Sequence, residues 1–406
     1  MTEITFREAV HNRRFLQAAD ILALGGNPFI AEDPNESISA FEQDNIFDIL
    51  IKEKAFDLIY ALVENTYIQM DLFESGLTGI HKSIINHLHE DEDSLQFLQK
   101  FLSNVTNIDE EYNDETLLSW AVRKDKPLSV LKVIIDAGCA ITFVDRVDNS
   151  LLHQIVFQQS DETLLPFLVD AGLEVDGVNI LGETALHTAV KNRKEKYIPT
   201  LLACGADPNL PDTDQKSPYY YALVQQRSLA IYEIFAGYCP PNFDQFTLDG
   251  STLLFDFISN IYSDPTDLKL VEKMLEHGAD LSQEVINPYG VPETPLDLVA
   301  QKSCELMQCI LNKEHIDINA QDRFGNTVLH KVCARNVNYE QAVARNMYRT
   351  VKFLLAEGAD MAIKNDLDQT PLMLASDDNM KAKIATLLIL QELSLIHISE
   401  PTRRTP

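Results

Sequence analysis

Four histidines recur at matched places: His81, His153, His187 and His330 each stand three residues after a hydroxyl, at Thr78, Ser150, Thr184 and Thr327. An imidazole held at regular spacing could serve as a catalytic base. After other hydroxyls of the same series the position holds Ser119, Tyr220, Phe255, Asp297 or Met373. A scaffold tolerates such local loss and a catalytic set does not, so the structural reading is preferred. His87-Leu-His-Glu-Asp-Glu-Asp93 sets two histidines among carboxylates, the ingredients of a metal site. Spacing supplies no third ligand, and an acidic solvated turn accounts for these residues. The chain has no GxSxG, no Walker-type phosphate loop and no HExxH. Its 15 glycines fall mostly at helix stops and turns. No catalytic, metal or cofactor site is therefore expected, and the chain reads as a non-enzyme.

The elements that would position these residues follow from the same spacing. Thr184 stands where a helix cap belongs, ahead of Leu186, Ala189 and Val190 on one helical face. A second helix ends at Leu201-Leu202, and Gly205 stops it, because glycine takes the left-handed conformation without a Cβ penalty. The hydroxyl recurs at Thr78, Thr116, Ser150, Thr184, Ser217, Thr252, Thr294, Thr327 and Thr370, and Asn45 extends the series backwards. Six of the nine spacings lie within two residues of 33. The second-helix ending recurs as Ile135-Asp-Ala-Gly138, Leu168-Val-Asp-Ala-Gly172, Met274-Leu-Glu-His-Gly278 and Leu354-Leu-Ala-Glu-Gly358.

The stretch Leu181-Gly-Glu-Thr-Ala-Leu-His-Thr-Ala-Val190, with Leu201-Leu-Ala-Cys-Gly-Ala-Asp-Pro-Asn209, resembles the ankyrin repeat, whose core is Thr-Pro-Leu-His-x-Ala with a period of about 33 residues. The resemblance implies an all-α ankyrin-repeat solenoid of about ten helix-turn-helix units with short β-hairpin loops. Residues 1–44 are read as a degenerate first repeat plus an acidic loop, and 45–392 as the array. It also implies that the motif residues Thr78, His81, Thr116, His153, Thr184, His187, Thr327, His330 and Thr370 build the repeat, with the imidazoles bridging loop backbones of neighbouring repeats. Such arrays bind proteins through hairpin tips and a concave helical face. The tips, three and four residues before each hydroxyl, include Tyr112, Arg146, Val147, Ile180, Leu181, Thr213, Leu248, Arg323, Phe324 and Leu367. An apolar residue there either forms an exposed partner site or folds back on the neighbouring hairpin.

The net charge of −29 argues against nonspecific nucleic-acid or membrane binding, which needs clustered Lys and Arg. No run reaches the roughly 18 apolar residues of a spanning helix, and no secretory signal is visible at Met1-Thr-Glu-Ile-Thr-Phe-Arg-Glu8. Six cysteines without CxxC spacing fit a reducing compartment. A cytoplasmic monomer that binds another protein is expected, in the host cytosol if the chain is an ankyrin-bearing bacterial effector, which it also resembles. The alternative is the substrate-targeting arm of an enzyme whose catalytic domain is missing beyond residue 392. Basic residues recur in the turns between helices, at Arg13, Lys54, Arg123, Lys124, Lys191, Arg193 and Arg335. They form either a positive groove or favourable charges at helix C-termini, and the second reading is preferred.

Four stretches break the pattern. Phe29–Asp44 reads as an irregular acidic loop. Ser259–Thr266 and Ala334–Tyr348 read as insertions between paired helices, and the hairpin Val285–Pro292 departs from the Gly-x-Thr form. The last unit's second helix is expected over Ala382–Leu390. Residues 393–406 fit no repeat and resemble translated sequencing-adapter sequence. A deletion ending at Glu392 should unfold at the same denaturant midpoint as the full chain; a clear drop would show that the tail packs.

Overall fold

Among the described residues, most units begin with a hydroxyl that accepts a backbone amide from the first helical turn. Thr184 Oγ1 accepts the His187 amide at 3.3 Å, and Thr116 Oγ1 accepts the Ser119 amide at 3.2 Å. Such caps satisfy donors a helix start leaves orphaned, worth about 1 kcal/mol each. The computed structural model describes residues 4–25, 40–65, 67, 80–111, 115–262, 264–287, 290–313, 316–335, 340–376 and 381–399. Thr78, Tyr112, most of the stretch read as an acidic loop and residues 400–406 lie outside these.

The chain divides into two units, Met1–Asp207 and Pro208–Pro406. The first contains the pairs α1 (Phe6–His11) and α2 (Phe15–Ala23), α3 (Ala40–Lys52) and α4 (Phe56–Glu64), and α5 (Ile80–His87) and α6 (Glu92–Leu102). It continues with α7 (Leu117–Arg123) and α8 (Leu128–Asp136), α9 (Leu151–Gln158) and α10 (Leu164–Asp170), and α11 (Ala185–Lys191) and α12 (Ile198–Ala203). The second begins with α13 (Pro218–Tyr220), a π turn (Tyr221–Gln225) and α14 (Leu229–Ala236), then α15 (Leu253–Asn260) and α16 (Pro265–Glu276). The two-stranded hairpin β1 (Val285–Ile286) and β2 (Pro292–Glu293) leads to α17 (Pro295–Gln301) and α18 (Cys304–Lys313). The pairs α19 (Val328–Ala334) and α20 (Gln341–Ala356), and α21 (Pro371–Ser376) and α22 (Ala382–Ser399), complete it.

First helices stack on first helices and second on second: α7 on α9 and α9 on α11, α6 on α8 and α10 on α12, and likewise α15 on α17 and α16 on α18. The core lies between these two layers. Leu186, Ala189 and Val190 of α11 are fully buried, as are Leu201 of α12 and Phe101 of α6. A repeat of this size cannot cover its own apolar face, so stacking supplies the burial. No described helix is long and apolar enough to cross a membrane.

Several boundaries differ from those read in the sequence. Helix α3 starts at Ala40, so Asn45 lies inside a helix and is not a cap; Ala-Phe-Glu-Gln lets the helix grow backwards. Only Ile261–Asp264 separates α15 from α16, and the extra residues of that unit lie in the 12-residue α16 and in the long β1–β2 hairpin. The Ala334–Tyr348 insertion is largely helical, because α20 starts at Gln341 and runs 16 residues. Helix α22 continues to Ser399, past the expected end at Leu390. In regular units a left-handed residue closes the first helix nine positions after the cap, at Asp125, Gln159 and Arg193. After Ser217 it comes ten positions later, at Arg227, because the π turn absorbs one extra residue.

Leu186 sits at the centre of this packing with none of its surface exposed. Leu186→Ala should cost about 2–5 kcal/mol in chemical denaturation, since the neighbours cannot collapse into the cavity. Leu181→Ala, in the hairpin ahead of the same helix, should cost under about 0.5 kcal/mol.

Candidate protein-binding surface

The hairpins between units share one local device. Five residues before the capping hydroxyl, a side-chain oxygen accepts two backbone amides across the turn. Asn179 Oδ1 takes the amides of Leu181 at 2.9 Å and Glu183 at 3.0 Å. Asp322 Oδ1 takes those of Phe324 and Asn326, both at 2.8 Å. Asp145, Asp212 and Asn365 repeat the arrangement. In the long hairpin Asn287 does part of the same work, accepting the Val291 amide at 2.9 Å. Three residues further on, the chain turns through left-handed backbone at Asp148, Gly182, Gln215, Gly250, Gly325 and Asp368. Gly325 is required there twice over. Its φ is +73°, and an added Cβ would sit 2.8 Å from the Asp366 amide.

Successive hairpins are also tied to each other. The amide of Ile180 donates to the Val147 carbonyl at 3.1 Å, that of Leu248 to Asp214 at 2.9 Å, and that of Asp366 to Phe324 at 3.0 Å. The tip backbone thus joins its neighbour while the apolar tip side chains stay in solvent. Val147, Ile180, Leu181, Leu248, Phe324 and Leu367 are 41%, 54%, 52%, 71%, 48% and 76% exposed. Arg146 and Thr213 are exposed too. Arg323 pairs with Glu284 at 3.3 Å and lays its guanidinium 4.9 Å from the Phe324 ring centre. Further exposed apolar residues, not anticipated from the sequence, come one residue before the anchoring side chain: Val144 and Val178 in the first unit, Phe246 and Ile286 in the second. An apolar residue directly preceding Asp, Asn or Thr at this register was their signal.

At His153 and His330 both ring nitrogens are engaged in the fold. The Ser150 amide donates to His153 Nδ1 at 3.2 Å, so the ring proton sits on Nε2, which donates to the Glu183 carbonyl at 2.8 Å. His330 repeats this with the Thr327 amide at 3.1 Å and the Gln369 carbonyl at 3.1 Å. His187 Nδ1 takes the Thr184 amide at 3.0 Å. His81 is buried, with its ring edge on Phe101. Thr370 caps α21 weakly, accepting the Met373 amide at 3.4 Å. Where the imidazole is replaced, part of its work survives. Ser119 and Asp297 accept the cap residue's amide, and Tyr220 reaches forward to donate to Asp256 at 2.7 Å.

The His87–Asp93 stretch is divided among separate tasks. His87 meets the Asp48 carboxylate at 3.2 Å, and His89 Nε2 donates to the Lys52 carbonyl at 3.0 Å. Asp91 caps α6; the Lys54 ammonium, 2.7 Å away, and the Ser94 amide hold its carboxyl down to about 2. Four of the seven turn cations are paired, Arg13 with Glu53, Lys54 with Asp91, Arg123 with Glu115 and Lys191 with Glu183, and Lys331 of α19 meets Asp297 and Asp322.

The family description "Ankyrin repeats (3 copies)" matches residues 118–212, and "Ankyrin repeat" matches residues 324–366. The chain thus carries ankyrin repeats and has the all-α ankyrin-repeat solenoid fold. No curated protein shows significant similarity to it. Similar solved structures include the ankyrin repeat domain of Bcl-3, a member of the IkappaB family, at 23% identity, TM-score 0.47, covering 59% of this chain and 98% of that one. They also include one chain of a complex between a predatory endopeptidase from Bdellovibrio bacteriovorus and an immunity protein, at 24% identity, TM-score 0.37, covering 51% of this chain and 94% of that one.

Burial pushes the His153 and His330 pKa values below the ordinary value of 6.5. Below that pH the unfolded chain takes up protons that the folded sites refuse, so stability should fall as pH drops through about 6.5 towards the depressed folded values. Denaturant midpoints measured from pH 7.5 down to 5.5 should show a shallower loss in His153→Gln and His330→Gln than in the parent.

Proposed function

We propose that this ankyrin-repeat array is a non-catalytic module that binds a protein partner through its hairpin tips. One observation carries the reading: apolar side chains stand in solvent on turns whose backbone is fully engaged. Ile180 and Leu181 are more than half exposed, yet their amides are committed to Val147 and Asn179. Phe324 repeats the arrangement on Asp322. An aromatic or aliphatic side chain on a pre-ordered turn loses little conformational freedom on binding, so more of its contact energy appears as affinity. The order of hydroxyl, helix and hairpin is spent on architecture; the tip side chains have no part in it. The motif histidines support a non-catalytic role, because both ring nitrogens of His153 and His330 are already engaged.

A photo-crosslinking amino acid placed at Leu181 and, separately, at Phe324 would identify the partner that touches these tips. With that partner purified, Leu181→Ala and Phe324→Ala should each weaken the complex about tenfold or more, as central apolar anchors do. If both tip variants bind normally while Lys191→Ala and Arg193→Ala do not, the contact lies on the helix turns and this reading falls.

A further inference from the structure

Four consecutive first helices of the Met1–Asp207 unit depart from the acidic character of the chain. Helices α5, α7, α9 and α11 contain no aspartate and no glutamate, in a protein with 62 acidic residues. Their solvent-facing positions hold Lys82 on α5, Trp120 and Arg123 on α7, Phe157 on α9 and Lys191 on α11. Trp120 is ringed by cations: Arg123 lies 4.3 Å from a ring centre, Lys124 5.5 Å and Lys82 5.7 Å. Three carboxylates approach this face: Glu115 and Glu183 pair with Arg123 and Lys191, and Asp48 accepts from Ser83 at 2.7 Å and meets His87 at 3.2 Å. Lys82 and Lys124 make no ion pair among the described residues and lie over the Trp120 indole. Phe157, next in the row, is 64% exposed with nothing packed over it to explain an aromatic there.

We infer that this face, running from Lys82 past Trp120 to Phe157, is a docking site for an acidic peptide segment that carries apolar side chains between its carboxylates. The inference rests on the reading of the array as a protein-binding module and names the chemistry of the partner. Charge complementarity selects the occupant. At physiological salt, charges separated by more than about 8 Å are largely screened. A docked segment therefore senses the local surplus left by Lys82 and Lys124, with Arg123 and Lys191 balanced by Glu115 and Glu183, and not the −29 of the whole chain. The indole of Trp120 and the ring of Phe157 give apolar residues a surface to cover, and aromatic anchors concentrate binding energy. A nucleic acid fits less well, since a long polyanion leaving this short patch meets acidic surface.

Trp120 is the single tryptophan of the chain, so selectively excited tryptophan emission reports this face alone. The probe is a short synthetic peptide in which aspartates and glutamates alternate with leucines. Its controls are the same peptide with lysine for every acid, and a single-stranded oligothymidylate. The acidic peptide should give a saturable spectral shift that weakens with added salt, and the lysine peptide none. Lys82→Gln with Lys124→Gln, and separately Phe157→Ser, should each raise the dissociation constant about tenfold while leaving the denaturant midpoint unchanged. No saturable shift, an equal response to the lysine peptide, tighter binding of the oligothymidylate, or unaltered affinity in both variants would overturn the inference. Failure here, with a partner still crosslinked at the tips, removes this face alone; normal binding by the tip variants removes the tip reading alone.

Discussion

The array depends on side-chain oxygens that stand in for backbone. At Asp145, Asn179, Asp212, Asp322 and Asn365 one oxygen accepts two amides across each turn. Each such bond contributes about 0.5–1.5 kcal/mol and holds the turn in one conformation. The anchor fixes where the following hydroxyl falls, the hydroxyl fixes where the helix starts, and the helix start fixes which face meets the core. A single hydrogen-bonding residue type thus sets the register of a whole unit.

Polar groups inside the layers obey the same economy of pairing. The imidazoles of His153 and His330 link one unit's cap to the next unit's hairpin. Lysines do related work at helix ends: Lys126, Lys302 and Lys381 donate to the carbonyls of Asn86, Ser259 and Cys333, each near the close of the preceding unit's first helix. An ammonium there meets orphaned carbonyls and the negative end of the helix dipole together. Tyr232 and Tyr219 use their hydroxyls likewise, on the Lys273 and Cys239 carbonyls. Stacking is therefore held by directed bonds as well as by apolar contact.

Much of this was legible in the sequence, and the exceptions have physical causes. The hydroxyl series and the glycine stops located most of the helices, because capping and left-handed backbone demand particular residue types. The tip positions followed from the hydroxyl spacing, but whether their side chains stand in solvent or fold back was not legible, because that depends on the neighbouring hairpin. Asn45 misled because asparagine is a good cap in isolation, whereas Ala40 and its neighbours favour continuing the helix. The π turn after Tyr220 was silent, because one inserted residue changes no composition. The segment leading to Tyr348 looked like a loop only because its length exceeded the period; its residues are ordinary helix formers. Phe157 and Trp120 escaped notice because an apolar residue within a helical pattern reads as core until its surroundings are known.

The separation between anchoring and tip residues has an evolutionary consequence. At Ile180 and Leu181 the fold uses only the backbone, and the burden of the turn rests on Asn179 and Gly182. Side chains at the tips can therefore drift without threatening the fold, and selection on recognition is decoupled from selection on stability. A lineage of such arrays could exchange one binding specificity for another by substitutions confined to two positions per turn, with the helical layers unaware of the change.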